Sequence, residues 1–346
     1  MKKSKKILII IALALIASGI IIVCFTSLFT IGSNTAVPIL SDSVKLEEDY
    51  GVKTIQIEEN FHSIEVYETD ANVKILPLES DSCQISYKNN RRVNRSISVE
   101  NGVLKLKAEE SKNFWDHFGV FFDDDCVTEI YLQKDQYDKI RIITASGDIE
   151  VLHPFKTESF YASTASGEID IDGIDSDYIS VKSASGNIDF CSAKARYALI
   201  DSASGEIRAQ NNTFDELNCS SISGNIYASG TSVSAKASIT STSGDIRMEK
   251  MGTDSLLSES TSGNIDFSSV TAKNSAINTT SGEFTFYEFE TENAKINTVS
   301  GNVNGSFKTS MLINTSTTSG NIDVIPSLKD GGECSITTVS GDIKIY

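Results

Sequence analysis

Apolar and polar residues alternate in short runs that recur at a fixed interval along the chain. The run at residues 183–190 reads SASGNIDF, and eleven variants of its Ser-Gly phrase follow one another every 19 to 21 residues. We count the Ser-Gly glycine of each repeat as position zero. Position +2 is Ile in nine repeats and Phe284 or Val303 in the other two, and position +4 is mostly apolar. This period-two alternation predicts a short strand with one buried face.

A second apolar pair follows near positions +12 and +14, for example Ile179 with Val181 and Ala198 with Ile200. A small hydroxyl residue comes two positions later, and then the next Ser-Gly begins. Each repeat therefore predicts two strands, with one bend at Ser-Gly and a looser bend near positions +6 to +10.

A fixed period of this length indicates a repeat architecture. Gly, Ser and β-branched residues in every copy disfavour helices, and the leucine spacing of leucine-rich repeats is absent. The sequence therefore predicts an all-β, single-chain parallel β-solenoid with coils of 19–20 residues. Neighbouring coils should lie about 4.8 Å apart.

The repeat glycines are predicted to be structural turn residues. A Cβ would obstruct the corner, so these glycines are expected at positive φ, and the preceding Ser is expected to hydrogen-bond the turn or the next coil. The eleven are Gly147, Gly167, Gly186, Gly205, Gly224, Gly244, Gly263, Gly282, Gly301, Gly320 and Gly341.

The pattern extends upstream without its signature. Residues 127–145 read as one coil lacking Ser-Gly, with Ile130 and Leu132 at positions +2 and +4. We therefore assign 127–346 to the regular solenoid and 50–126 to irregular β coils or a capping region. The aromatic segment 111–125 is expected to pack or cap the solenoid end, and contact with a membrane interface is the alternative.

The first 31 residues differ in composition from the rest. Residues 1–6 carry four Lys, and 7–31 contain no charge. That run is long enough to span a bilayer and long for a signal-peptide core. It predicts a transmembrane signal-anchor helix with a cytoplasmic N-terminus, followed by a linker at 32–49 and an extracytoplasmic remainder. A cleaved signal peptide is the alternative.

The chain is acidic, with a formal net charge of −17. This charge argues against nucleic acid as a partner and fits either a solvated surface or affinity for cationic partners. Of six Cys, five follow the apolar run, and no C-x-x-C occurs, so neither a disulfide scaffold nor a zinc ribbon is indicated. Cys219 and Cys334 both count to position +14, six coils apart, and are predicted to be buried free thiols.

Position +1 holds only acids and amides, which alternate strictly from Glu168 to Asn302. Stacked carboxylates would repel one another, and amides between them can donate hydrogen bonds and double their spacing. The column is therefore predicted to be an electrostatically relieved ladder, or alternatively an anionic edge for cations or cationic polymers. Its acids are Asp148, Glu168, Glu206, Asp245, Glu283 and Asp342.

No catalytic, cofactor-binding or metal-binding residue is predicted. The three histidines, His62, His117 and His153, lack metal-site spacing, and no G-x-S-x-G elbow occurs. The acidic run 123–125 is a calcium candidate, although a solvated charge run is the simpler interpretation.

The apolar N-terminus, the entry EIYLQKDQYDKIRIITASGDIEV and the repeated SG[DEN]I phrase resemble the bacterial putative-adhesin family of β-strand repeats, a domain family of unknown function. The resemblance covers residues 50–346. It implies a cell-envelope protein with an adhesin, surface-binding or spacer role, whose partners would be the membrane and a cell-wall polymer or another envelope protein. An envelope-stress regulator and a carbohydrate-active enzyme are the alternatives.

Overall fold

The computed structural model describes residues 51–78, 83–88, 93–110, 126–132, 136–152, 154–325 and 331–346. The predicted tail at 1–6, helix at 7–31, linker at 32–49 and aromatic segment at 111–125 lie outside the described residues. Within the described ranges, no helix is both long and apolar enough to cross a membrane.

Strands make up the described part of the chain, and we number them in chain order. They are β1 (Val52–Ile57), β2 (Ser63–Tyr67), β3 (Asn72–Pro77), β4 (Cys83–Lys88), β5 (Val93–Glu100), β6 (Val103–Glu110), β7 (Val127–Leu132), β8 (Gln136–Thr144), β9 (Ile149–Val151), β10 (Phe155–Thr164), β11 (Ile169–Asp172), β12 (Ile174–Ser183), β13 (Ile188–Cys191), β14 (Lys194–Ser202), β15 (Ile207–Gln210), β16 (Thr213–Ser221), β17 (Ile226–Ser229), β18 (Ser232–Ser241), β19 (Ile246–Glu249), β20 (Gly252–Ser260), β21 (Ile265–Ser268), β22 (Thr271–Thr279), β23 (Phe284–Asn297), β24 (Val303–Phe307), β25 (Met311–Ser316), β26 (Ile322–Val324), β27 (Gly332–Thr337) and β28 (Ile343–Ile345).

Most strands form a parallel β-solenoid with coils of about 19 residues, as the sequence predicts. At its N-terminal end β1 pairs with β4, β4 with β7 and β5 with β6, and these three pairings are antiparallel. The short strands that follow the Ser-Gly corner stack into one sheet, which we call sheet A. The longer strands that precede it stack into a second sheet, sheet B. The long strand β23 contributes to both sheets.

The core consists of columns of like residues that face each other between the two sheets. Ile169 aligns with Ile149 on one side and Ile188 on the other, and all three side chains are buried. Each isoleucine thus fills the same slot in its own coil, and burial of one such side chain contributes about 1.5–3 kcal/mol. This repeated slot explains why Ile recurs at position +2.

At the N-terminal end, the coils do not stack in chain order. β2 lies between β6 and β8, and β3 lies between β7 and β9. The interpretation of 127–145 as one coil is therefore wrong, because β7 and β8 belong to coils that the β2–β3 coil separates. Ile130 aligns with Ile75 and Val151, so it occupies position +4 and not +2.

The C-terminal end has a matching exchange. β27 lies between β23 and β25, and β28 lies between β24 and β26. The β27–β28 coil comes last in the described chain, yet it lies between the β23–β24 coil and the β25–β26 coil. As a result, the Gly341 corner stacks directly on Gly301, and the Gly320 corner stacks on Gly341.

This exchange corrects the position of one cysteine. Cys334 aligns with Ala294 in the +12 column, whereas Cys219 lies in the +14 column with Ile200 and Ile239. Both thiols are buried and free, as predicted. Burial also raises the pKa of the Cys334 thiol to about 12, which disfavours the reactive thiolate.

The repeat glycines are needed because coils approach closely, and not because of their φ angles. A Cβ on any of them would lie 1.7–2.0 Å from a backbone carbonyl oxygen of the adjacent coil. None of them has a positive φ, so that expectation is wrong. The predicted obstruction by a Cβ is confirmed, because there is no room for any side chain at this corner.

Positive φ occurs instead at the second bend, at position +6. Seven successive coils place a left-handed residue there: Gly173, Ser192, Asn211, Gly230, Lys250, Ser269 and Glu288. Five of these residues carry a side chain, although the left-handed region costs a non-glycine residue roughly 1–2 kcal/mol.

Lys250 provides a test of that cost. Lys250→Gly is expected to raise the free energy of unfolding by about 0.5–1 kcal/mol, because relief of strain at φ 50° outweighs the greater freedom of glycine in the unfolded chain. The neighbouring Glu249→Gly, within β19, should lower it by a similar amount. Urea titrations of both variants check this, and equal losses would rule out strain at Lys250.

Candidate functional site

At seven of the eleven Ser-Gly corners, the glycine amide donates to a hydroxyl three residues earlier. The Gly244 amide donates to Ser241 Oγ at 2.9 Å, and the Gly186 amide donates to Ser183 Oγ at 2.9 Å. These are the small hydroxyl residues that end each repeat in the sequence. Ser146, immediately before its glycine, uses its hydroxyl differently and donates to Asp70 Oδ1 at 3.0 Å.

The +1 column forms a ladder along one edge of the solenoid. Its Asn and Asp side chains accept hydrogen bonds from the backbone amide of the next residue in the column. Asp245 N donates to Asn225 Oδ1 at 2.9 Å, and Asn264 N donates to Asp245 Oδ1 at 2.7 Å. An amide-to-acid contact also occurs, from Asn187 Nδ2 to Glu168 Oε1 at 3.2 Å. The short acidic and amide side chains therefore satisfy corner backbone groups, a role that sequence reasoning missed.

The coil exchange extends the alternation of acids and amides in this column. In chain order, Asn302 and Asn321 would be adjacent and the pattern would break. In the structure, Asp342 lies between them, and its amide donates to Asn302 Oδ1 at 2.9 Å while its Oδ1 accepts from Asn321 N at 2.7 Å. Strict alternation therefore runs to Asn321. Cation binding by this edge stays a prediction.

The outer face of sheet A carries much of the negative charge. It presents positions +1, +3 and +5, and between residues 148 and 287 its basic side chains are Arg208 and Arg247. The acidic side chains of the same stretch are Asp148, Glu150, Glu168, Asp170, Asp172, Asp189, Glu206, Asp245, Glu249, Asp266 and Glu283.

Asp170 lies at the centre of the densest part of this acidic face. Partial burial raises the pKa of its carboxyl above the ordinary value, and the nearby charges of Asp189 and Glu150 raise it further. A carboxyl whose pKa is higher in the folded state destabilises the fold above that pKa, and this penalty disappears as pH falls below the unfolded-state pKa.

Asp170→Asn is therefore expected to raise the thermal midpoint at pH 7, and to have much less effect at about pH 3, where the carboxyl is protonated in both states. Differential scanning calorimetry at both pH values measures this. Asp254→Asn is the control, because Asp254 pairs with Lys273 at 2.7 Å and should not stabilise on neutralisation. A larger gain at pH 3 than at pH 7 would contradict the explanation.

The outer face of sheet B differs in charge. Between residues 159 and 297 its ladder positions present mostly Ser, Thr, Asn and Tyr side chains. In the half of each strand that leads to the Ser-Gly corner, three basic and three acidic residues face outward: Lys182, Lys236, Lys295, Asp201, Glu216 and Glu259. We call this half the neutral face. The other half is more acidic and presents Lys194, Arg196, Lys273, Asp175, Asp177, Asp215, Asp254, Glu290 and Glu292.

Two shallow depressions follow one another along this neutral face. One has a volume of about 280 Å³ and includes Tyr178, Tyr197 and Asn218 in its lining. The other has a volume of about 410 Å³ and is lined by groups that include Asn274 and Asn293. This face was not predicted from the sequence, because its outward residues share no single motif.

The described residues do not include a group of His, Cys, Asp and Glu side chains arranged to hold a metal ion. The nearest to a catalytic pair is His62 with Asp138, whose Nδ1 and Oδ2 atoms are 2.8 Å apart, but both side chains are more than half exposed. His117, His153 and the acidic run 123–125 lie outside the part of the chain that the structure describes.

Comparison with known proteins gives one family and several related folds. The family model Toastrack DUF4097 matches residues 61–256 and 249–346. A putative adhesin from Bacteroides fragilis NCTC 9343 is 14% identical, with 86% of this chain and 97% of that chain covered and a TM-score of 0.37. A putative adhesin from Parabacteroides distasonis ATCC 8503 is 12% identical, with 86% and 98% covered and a TM-score of 0.41.

A putative lipid binding protein from Parabacteroides distasonis ATCC 8503 is 15% identical, with 86% of this chain and 98% of that chain covered and a TM-score of 0.36. Among curated proteins, none matches the chain. The family match confirms the resemblance that the repeat phrase indicates.

Proposed function

The chain belongs to the Toastrack DUF4097 family, and on that premise we propose that it is a non-enzymatic, membrane-anchored envelope protein. Its solenoid would be an extracytoplasmic rod that binds or spaces other envelope components. The N-terminal helix at 7–31 would hold the protein in the membrane, with the lysines of 1–6 on the cytoplasmic side.

One observation carries the binding role. The neutral face of sheet B is regular and is marked by depressions lined with amide and aromatic side chains. Converging polar groups in a shallow concave surface favour recognition of an extended ligand.

Topology is tested by adding protease to intact protoplasts that express the chain with a C-terminal tag. The expected result is loss of the tag, with the full-length chain recovered in the membrane fraction before digestion. Protection of the tag would overturn the topology, and quantitative release of soluble protein would overturn the anchor.

Binding is tested by cosedimentation of the full-length protein, in mild detergent, with purified cell-wall material. We expect the protein in the pellet when wall material is present. When wall material is left out, we expect it in the supernatant. Absence of sedimentation with wall material would overturn a wall-binding role.

A further inference from the structure

Three tyrosines form a continuous aromatic row on the outer face of sheet B. The ring centroids of Tyr161 and Tyr178 are 5.6 Å apart, and Tyr178 aligns with Tyr197 on the next strand. Tyr197 is 45% exposed. The Arg141 guanidinium covers the Tyr161 ring at 4.9 Å, and the Arg196 guanidinium lies 5.7 Å from the centroid of the Tyr197 ring, so the exposed part of Tyr197 is the most accessible part of the row.

Amide side chains continue the same face toward the C-terminus, and coil-to-coil hydrogen bonds hold them. Asn293 Nδ2 donates to Asn274 Oδ1 at 3.1 Å, and Asn297 Nδ2 donates to Asn278 Oδ1 at 2.9 Å. Each amide has two donors and two acceptor lone pairs, so these bonds leave capacity for a ligand. Because the amides are already ordered, binding would cost little additional side-chain entropy.

The combination of groups selects the ligand chemistry. Flat exposed rings can stack against the C–H faces of pyranose rings, and neighbouring amides and hydroxyls can hydrogen-bond sugar hydroxyls. The neutral face has equal numbers of acidic and basic residues and therefore gives no field for a polyanion, and the excess of acidic over basic residues, which would attract a polycation, is larger on sheet A. A neutral glycan fits this face better than either charged polymer.

The spacing of the coils fits a chain ligand. Equivalent residues on successive coils lie about 4.8 Å apart, close to the length of one pyranose unit in an extended glycan. The two depressions, one beside the tyrosines and one beside the amides, lie in line. Tyr197 and Asn274 are four coils apart, so the depressions would contact sugars about four units apart on one strand.

We propose that the outer face of sheet B, from Tyr161 to Asn297, binds a neutral glycan chain that runs along the solenoid axis. The tyrosines provide stacking platforms and the amide ladder provides hydrogen bonds. This inference rests on the proposed binding function and assigns it to one face and one class of ligand.

The test uses full-length protein and isothermal titration calorimetry with cellohexaose and with the hexamer of β-1,4-linked N-acetylglucosamine. We expect at least one hexasaccharide to bind, and the disaccharide of the same sugar to bind more weakly. Tyr178→Ala with Tyr197→Ala should raise the Kd on the order of tenfold. The matched control replaces two tyrosines of the sheet A face, half-buried Tyr227 and exposed Tyr287, and should leave the Kd unchanged.

Other outcomes separate this inference from the proposed function. If neither hexamer binds but the protein still sediments with wall material, the glycan assignment is wrong and the envelope-binding function stands. If both double variants lost glycan binding equally, with unchanged thermal midpoints, the assignment of the site to sheet B would be wrong. Retained affinity in the Tyr178 and Tyr197 variant would also overturn the assignment.

Discussion

Gly244→Ala is expected to lower the free energy of unfolding by about 3 kcal/mol or more. A Cβ at this position would lie 2.0 Å from the Gly224 carbonyl oxygen and 2.4 Å from its carbon. Both atoms belong to the backbone of a coil that is fixed by ladders on either side, so neither can move away without breaking the stack. Equilibrium denaturation in urea measures the loss.

Two controls keep this prediction specific to the corner. Gly252→Ala should be neutral or slightly stabilising, because no atom lies within 4 Å of its Cβ position. Asp245→Asn should be mild, since an Asn Oδ1 can still accept the hydrogen bond from Asn264 N. If Gly244→Ala and Gly252→Ala had equal effects, close approach of the coils would not explain the repeat glycine.

Arg95→Met should cost about 3–5 kcal/mol, because it leaves the Glu68 carboxylate buried without its cation. The side chains of Arg95 and Glu68 are 2% and 0% exposed, and their Nε and Oε1 atoms are 2.7 Å apart. A second contact joins Arg95 Nη2 to Glu68 Oε2 at 3.1 Å. Thr128 Oγ1 also donates to Glu68 Oε1 at 2.7 Å, so these contacts connect β5 and β7 with the residue that follows β2.

The double change Arg95→Met with Glu68→Leu should recover much of that loss, since an apolar pair can replace a buried ion pair at little cost. Lys273→Met, which breaks an exposed pair with Asp254, should lower the free energy of unfolding far less than Arg95→Met, because solvent screens that pair. Urea titration of all three variants tests this. A double variant as unstable as Arg95→Met alone would show that lost packing, and not the unpaired charge, dominates.

Most of the coil could be predicted from the sequence because every coil places the same residue types at the same positions. Ile at position +2 and Gly at position zero mark a buried slot and a crowded corner, and both are recognisable from residue type and spacing. The φ angles were not predictable in the same way. Lys250 and Glu288 adopt positive φ, and neither residue type signals a left-handed turn.

The order in which coils stack was not predictable from periodicity. Every coil presents nearly the same columns, so the sequence pattern fits many stacking orders equally well. One clue was present in the +1 column, where Asn302 and Asn321 interrupt an alternation that Asp342 completes in space. The neutral face of sheet B escaped prediction for a related reason. Its Tyr, Asn and Ser residues look like ordinary solvated positions until the coils are stacked.

The exchanged coils have a consequence for the order of events during synthesis. β25 and β26 emerge from the ribosome before β27 and β28, yet among the described strands each pairs only with one of these later partners. Stacking that follows the growing chain from its N-terminus must therefore pause after β24. The β25–β26 coil can dock only once the later strands have filled the gap. Until then it carries unpaired strand edges, which leave it open to a quality-control protease.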